Sequence, residues 1–148
     1  MSATEGAIEA IHNALYGVLS ADTTLAALSL TADNATVAIV NDAEDGQQYP
    51  YVVISRPTET PMHTLGGAAT GLGWNVIARA HSYSRYQGDR EAARINGRIV
   101  ALTNFQTIAV SGFSSATWEV ISNRILVEDK EKVETRHGVV EIRVKVRQ

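Results

Sequence analysis

Apolar positions recur with two different periods along this chain, and each change of period marks an element. Ile8, Ile11, Leu15 and Leu19 fall on one helical face, with Ala7, Ala14 and Val18 beside them. Thr4 and Gly6 suit the start of this helix, and Glu5 and Glu9 lie where the positive helix end favours acids. Ser20, Ala21 and Asp22 interrupt the pattern, and Asp22 is placed to cap a short second helix over residues 23–28. Strands are predicted over 36–40 and, after Pro50, over 51–55; the acidic, polar residues 41–48 between them read as a surface loop. Over 72–82, Leu72, Trp74, Val76, Ala78 and Ala80 alternate with Gly73, Asn75, Ile77, Arg79 and His81, the pattern of a half-buried strand.

The period then returns to that of a helix. Residues 88–105 carry the stripe Ala92, Ile95, Ile99 and Leu102, with Asp89 as the expected cap and Phe105 closing the end. Gly97 in its middle weakens an isolated helix by about 1 kcal/mol, so it is expected to permit close packing on a sheet. Two strands follow over 117–127 and 135–146. In the second, Val140, Ile142, Val144 and Val146 oppose Glu141, Arg143, Lys145 and Arg147. The charged residues 128–134 between them read as a hairpin tip. One segment resists assignment: residues 56–71, with Pro57, Pro61, Gly66, Gly67 and Gly71, show neither period. So long a stretch reads as a mobile loop or as an arm ordered by a neighbour. These elements predict a single α+β domain over 1–148, mainly antiparallel sheet, with the N-terminal helix and the long helix packed on one face.

Composition narrows the function classes. With 45% apolar and 20% charged residues, the chain supports a folded core. A net charge of −3 gives no electrostatic reason for unassisted binding to nucleic acid or to an anionic membrane. There is no cysteine, hence no disulfide or thiolate chemistry. Met1 to Gly6 lacks a basic start and an apolar core, so no signal peptide is expected, and no run approaches a membrane span.

No motif with catalytic spacing emerges. His12, His63, His81 and His137 share no metal-ligand spacing and read as structural or surface residues. The glycines of 66–73 precede a strand without a nearby lysine, the wrong setting for a phosphate cradle. Gly112 to Ala116 lacks the final glycine of a nucleophile elbow. Asp42, Glu44 and Asp45 read as a solvated acidic loop. No catalytic residue, cofactor or metal is expected. Arg90, Arg94 and Arg98 are spaced to share one helix face. They are either a solvated row partly paired with Glu91, or a surface that meets an acidic neighbour or lines a path for DNA.

Several segments together resemble the tail-terminator (tail-completion) proteins of long-tailed bacteriophages. They are the N-terminal helix with the short segment 22–28, the strand 49–55 entered through proline, and strand 74–82 leading through 84–92 into the long helix. The last is the strand opened by Arg136, His137, Gly138, Val139 and Val140. The resemblance implies a non-enzymatic virion protein made in the host cytoplasm. Its subunits form a ring, usually of six, at the head-proximal end of the tail. The implied partners are other copies of itself, the tail-tube protein, a head-tail connector or head-closure protein and the tape-measure protein, with DNA passing through the lumen and no membrane. Another neck component, such as a head-closure or connector subunit, is the alternative, and a small ligand-binding domain or enzyme a more distant one. The candidate assembly interface comprises Met62, His63 and Leu65 of the arm, Arg90, Arg94 and Arg98 of the helix, and Glu128, Asp129 and Lys130 of the hairpin tip.

Overall fold

The cleanest alternation in the sequence becomes the middle of a six-stranded sheet. The computed structural model describes residues 6–30, 34–62, 73–130 and 133–147. Its elements are α1 (Ile8–Ala21), α2 (Thr23–Ala26), β1 (Ala38–Val40), β2 (Tyr51–Ile54), β3 (Thr58–Met62), β4 (Gly73–Ser84), α3 (Arg90–Thr103), β5 (Ser115–Lys130) and β6 (Val133–Arg147). The strand order is β1-β2-β4-β6-β5, with β3 paired to β4 as well. β4 and β6 run antiparallel over the whole of β4, from Gly73 opposite Arg147 to Ser84 opposite Arg136. β5 pairs with β6 from Ser115 to Lys130, with a bulge between Val120 and Ser122. The fold is α+β, as expected.

Two features differ from the sequence reading. β1 and β2 pair in parallel, so the sheet is mixed and residues 41–50 form a crossover between the two strands. The expected arm at 56–71 begins as a strand: β3 lies antiparallel to β4, with Thr58 opposite Ile77 and Met62 opposite Gly73. The prolines hid it. Pro61 has no N–H to give to a ladder, which suits an edge strand such as β3. The remaining residues of that segment, 63–71, lie outside the described residues.

The alternating positions sort onto two faces. Val76, Ala78, Ala80, Val140, Ile142, Val144 and Val146 are buried against Ile11, Leu15, Leu19, Ile95 and Ile99. Full burial of each such aliphatic side chain contributes about 1.5–3 kcal/mol. All three helices therefore lie on one face. Trp118 is also fully buried, its Nε1–H donating to the Ile108 carbonyl at 3.0 Å.

Polar contacts fix how the helices sit. Fully buried Asn96 of α3 accepts from Ser82 Oγ at 2.8 Å and donates to Asn123 Oδ1 and the Arg124 carbonyl at 3.0 and 3.2 Å. It fits because residue 138 is glycine: a Cβ there would fall on Ser82 Oγ and on both terminal atoms of Asn96. Glu91, expected on the surface beside Arg94, is fully buried; it accepts from Ser84 Oγ at 2.8 Å and from the Leu30 N–H at 2.6 Å. The start of α1 is held by Glu59 of β3, which accepts the Ala7 N–H at 2.7 Å. Gly6, at φ +92°, turns the chain there, and a Cβ would press on the Glu59 carboxylate.

Of three helix-end expectations, one holds and two are revised. Asp22 does cap α2, accepting from the Leu25 N–H at 2.7 Å. Asp89 precedes α3 but makes no capping bond, because its carboxylate takes Arg136 Nε at 2.6 Å. Phe105 does not close the apolar stripe. The chain leaves the helix at Asn104, and Phe105 stands 73% exposed at φ +55°, its N–H bonded to the Trp118 carbonyl. Gly97 does not face the sheet either; it is exposed, and a Cβ there would meet nothing within 4 Å.

The two glycines should respond in opposite ways. Gly138→Ala is expected to destabilise the fold by about 1–3 kcal/mol through overpacking at Asn96. Gly97→Ala is expected to stabilise the isolated chain by roughly 0.5–1 kcal/mol. Urea unfolding of the two variants checks both; equal and opposite signs to these would place α3 differently on the sheet.

Candidate assembly surfaces

The arginine row divides in two once α3 is docked. The buried stripe fixes its outward crest, where Arg90, Arg94, Gly97 and Ala101 are exposed. Arg98, one turn on, leans toward α2 and forms a two-pronged pair with Asp22: Nε to Oδ2 and Nη2 to Oδ1, both at 2.8 Å. The Arg98 guanidinium holds the Asp22 carboxyl below its usual value, with the Leu25 N–H assisting and burial opposing. Arg98 is therefore a structural tie between α3 and the α1–α2 junction, and the expected three-residue surface row reduces to Arg90 and Arg94. Glu91 does not compensate that row, since its carboxylate points into the core. Arg98→Gln should lower the melting temperature, whereas the double change Arg90→Gln, Arg94→Gln should leave it unchanged. A larger loss from the double change would contradict this division.

The helix-free face carries a line of rings. Tyr51, Tyr83 and His137 are neighbours across β2, β4 and β6. Tyr51 stacks on Tyr83 at 5.1 Å between centroids, and Tyr83 on His137 at 4.5 Å. Tyr49 meets the edge of this line, with the Arg85 guanidinium 4.1 Å from its ring centre. The crossover residues 43–48 line an open hollow with Tyr49, Tyr51 and Arg85; Tyr51 itself is buried between the Tyr49 and Tyr83 rings. Desolvation raises the pKa of both Tyr51 and Tyr83 above the ordinary tyrosine value.

His137 also links the sheet to the hairpin tip. Its Nδ1 lies 2.8 Å from Glu128 Oε1, and its Nε2 lies 2.8 Å from Nδ1 of His81. With Nδ1–H donating to the carboxylate, Nε2 of a neutral His137 accepts from His81. The short contact needs one donor and one acceptor, so both rings cannot be doubly protonated there. Burial pushes the His81 pKa down, His137, Arg79 and Arg124 push the same way, and Glu128 opposes them. Glu141 lies beside both arginines, 3.6 Å from Arg79 and 3.2 Å from Arg124.

The sign of the resulting pH effect follows from that lowered pKa. The fold favours neutral His81, so the unfolded chain binds more protons, and the contribution of His81 to stability is lost as pH falls below its ordinary value of 6.5. Unfolding free energies between pH 7.5 and 5 should decline less steeply in His81→Gln than in the parent chain. An unchanged slope would remove His81 as the acid-sensitive group.

Of the remaining interface candidates, Met62 is half-buried at the end of β3, beside Gly73. His63 and Leu65 lie outside the described residues. Glu128 is committed to His137, while Asp129 is exposed; Lys130 ends β5 opposite Val133. The tip is not only charged. β5 and β6 expose Leu126 and Val127 beside the end of β4 and continue past it as a short two-stranded ribbon with Val133, at 42, 61 and 43% exposure. The sequence reading missed this apolar ribbon, the ring line and the His81–His137 pair. The histidine pair is 56 positions apart, and only the β4–β6 register brings the rings together.

Elsewhere, an open groove of about 470 Å³ runs beside α1, lined by Glu9, His12, Asp42 and Arg56 among others. Among the described residues no group of three His, Asp or Glu side chains is arranged to hold a metal ion, and no helix is long and apolar enough to cross a membrane.

The profile of the family "Tail completion protein gp17" matches residues 13–147. No curated protein sequence matches the chain. Among solved structures, a chain of the "virion of native gene transfer agent (GTA) particle" superposes with a TM-score of 0.76 at 19% identity, covering 97% of this chain and 98% of that one. A second solved chain superposes with a TM-score of 0.50 at 14% identity, covering 95% and 92%. At these identities the likeness is one of fold.

Proposed function

We propose that this chain, which belongs to the tail completion protein gp17 family, is the tail terminator of its particle. It is a tail completion protein and a structural component of a phage-like virion, where it contacts other tail and head proteins. In the finer reading, copies of it close into a ring, most simply of six, on the last ring of tail-tube protein at the head-proximal end. That ring stops tail growth, contacts the end of the tape-measure protein and presents the surface that a connector or head-closure protein grips. DNA then passes through its lumen.

The family match over nearly the whole chain carries this reading. The surfaces described above support it. β5 is a sixteen-residue edge strand that no second strand flanks on its outer side among the described residues; Asn104 and Phe105 take its Val120 N–H and Trp118 carbonyl, and where the remaining edge is open it offers a template for a neighbouring chain. The far end of the β5–β6 pair adds exposed Leu126, Val127 and Val133, residues whose burial in a contact is favourable. Ring closure requires that two different patches of each subunit meet.

Particles assembled without this chain test the proposal. Tails of irregular, extended length that fail to join filled heads are expected, and adding the purified protein to blunt, unjoined tails should restore joining. Tails of normal length already joined to heads would contradict a terminator role.

A further inference from the structure

We propose that the crest of α3 on one copy docks against the 41–48 crossover of the next copy, so that neighbours in the ring meet front to back. The proposal rests on the ring reading above and names the surfaces that close it.

Two patches stay charged after ion pairing within the chain. Asp22 pairs with Arg98, Glu119 with Arg143, and Glu141 with Arg79 and Arg124. Asp89 and Glu134 share Arg136, and Glu128 takes His137. Among the described residues, Arg90 with Arg94 on the crest and Asp42, Glu44 and Asp45 on the crossover have no ion pair, are opposite in sign and are all exposed. Lys145 and Arg147 of β6 form another exposed basic pair, but without the open small-residue surface of the crest. A net charge of −3 keeps whole-body repulsion small, so local complementarity can decide how two copies meet.

Their placement suits a ring. The crest points away from the sheet on the helix side. The crossover follows edge strand β1: residues 43–48 line a hollow with Tyr49, Tyr51 and Arg85, and Asp42 lines the groove beside α1. A contact between these patches is heterologous and continues from copy to copy, whereas crest against crest would give only a two-fold dimer. The shape of the crest agrees. Ala93, Gly97 and Ala101 are exposed at spacings of four, and the space over Gly97 is empty in the isolated chain. A mid-helix glycine weakens the helix and serves no packing within the chain, but it lets a neighbour's backbone approach closely. DNA is the poorer occupant of the crest. Two arginines neutralise few phosphates, and the acidic crossover would then have no counterpart.

The absence of cysteine permits a direct test. Single variants R94C and E44C are prepared, mixed under the conditions in which the parent chain forms rings by native mass spectrometry or on tail ends, and oxidised. A disulfide-linked R94C–E44C pair is expected, with neither variant linking to itself. The double variant R94C/E44C should give a ladder that stops at one closed species, and the linked fraction should fall when R90E is added. R94C linking to R94C, or no linkage while rings are present, would overturn the docking proposal and leave the ring reading standing. If the parent chain forms no ring in solution or on tails, both fall together.

Discussion

The position of α3 depends on one buried contact, Asn96 seated over Gly138. The amide meets Ser82 of β4 and Asn123 and the Arg124 carbonyl of β5, so a side chain that belongs in water is satisfied in the core by two strands. Losing any of these partners would leave a buried polar group unpaired, which costs more than the bond itself contributes. The contact therefore locks the rotation of the helix as well as its height. Glu91 and Arg98 add ties one turn before it and just after it, to Leu30 and to Asp22. Once these are set, the outward residues of α3 are determined, and an exposed crest of Arg90, Arg94 and Gly97 follows from an interior constraint.

The opposite face follows from the register of β2, β4 and β6. That register stacks Tyr51, Tyr83 and His137 and aligns His137 with His81 and Glu128. The ring line ties the base of the β5–β6 ribbon to the sheet. The ribbon beyond it keeps backbone pairing to Lys130 opposite Val133 while its apolar side chains stay in solvent. A backbone that is ordered and an apolar surface that is not covered are what a subunit needs if its contacts are completed only on assembly.

Much of this was legible in the sequence, because periods of 3.6 and 2 survive in α1, α3, β4 and β6. What escaped was non-local. β3 follows Pro57, contains Pro61 and shows no alternation, and it is a strand only because β4 offers an edge. Glu91 read as a surface residue and nothing in the sequence marked Asn96, yet partners 61 and 27 positions away draw them inward. Arg98 looked like its neighbours in spacing, and only the fold brings Asp22 to it across 76 positions. The interface candidates suffered most, since one row of three arginines contains two different roles. The resemblance to tail-completion proteins rested on the order of elements, which the register preserves.

In the proposed role, the helix-on-sheet core holds in place the surfaces through which the subunit assembles. The most direct measurement is a cryo-electron microscopy reconstruction of the head–tail junction in intact particles. The account predicts several copies of this chain in a closed ring between the last tail-tube ring and the neck, with the α3 crest of each turned toward the acidic crossover of its neighbour. A junction that lacks this chain, or holds it as a single copy, would contradict it.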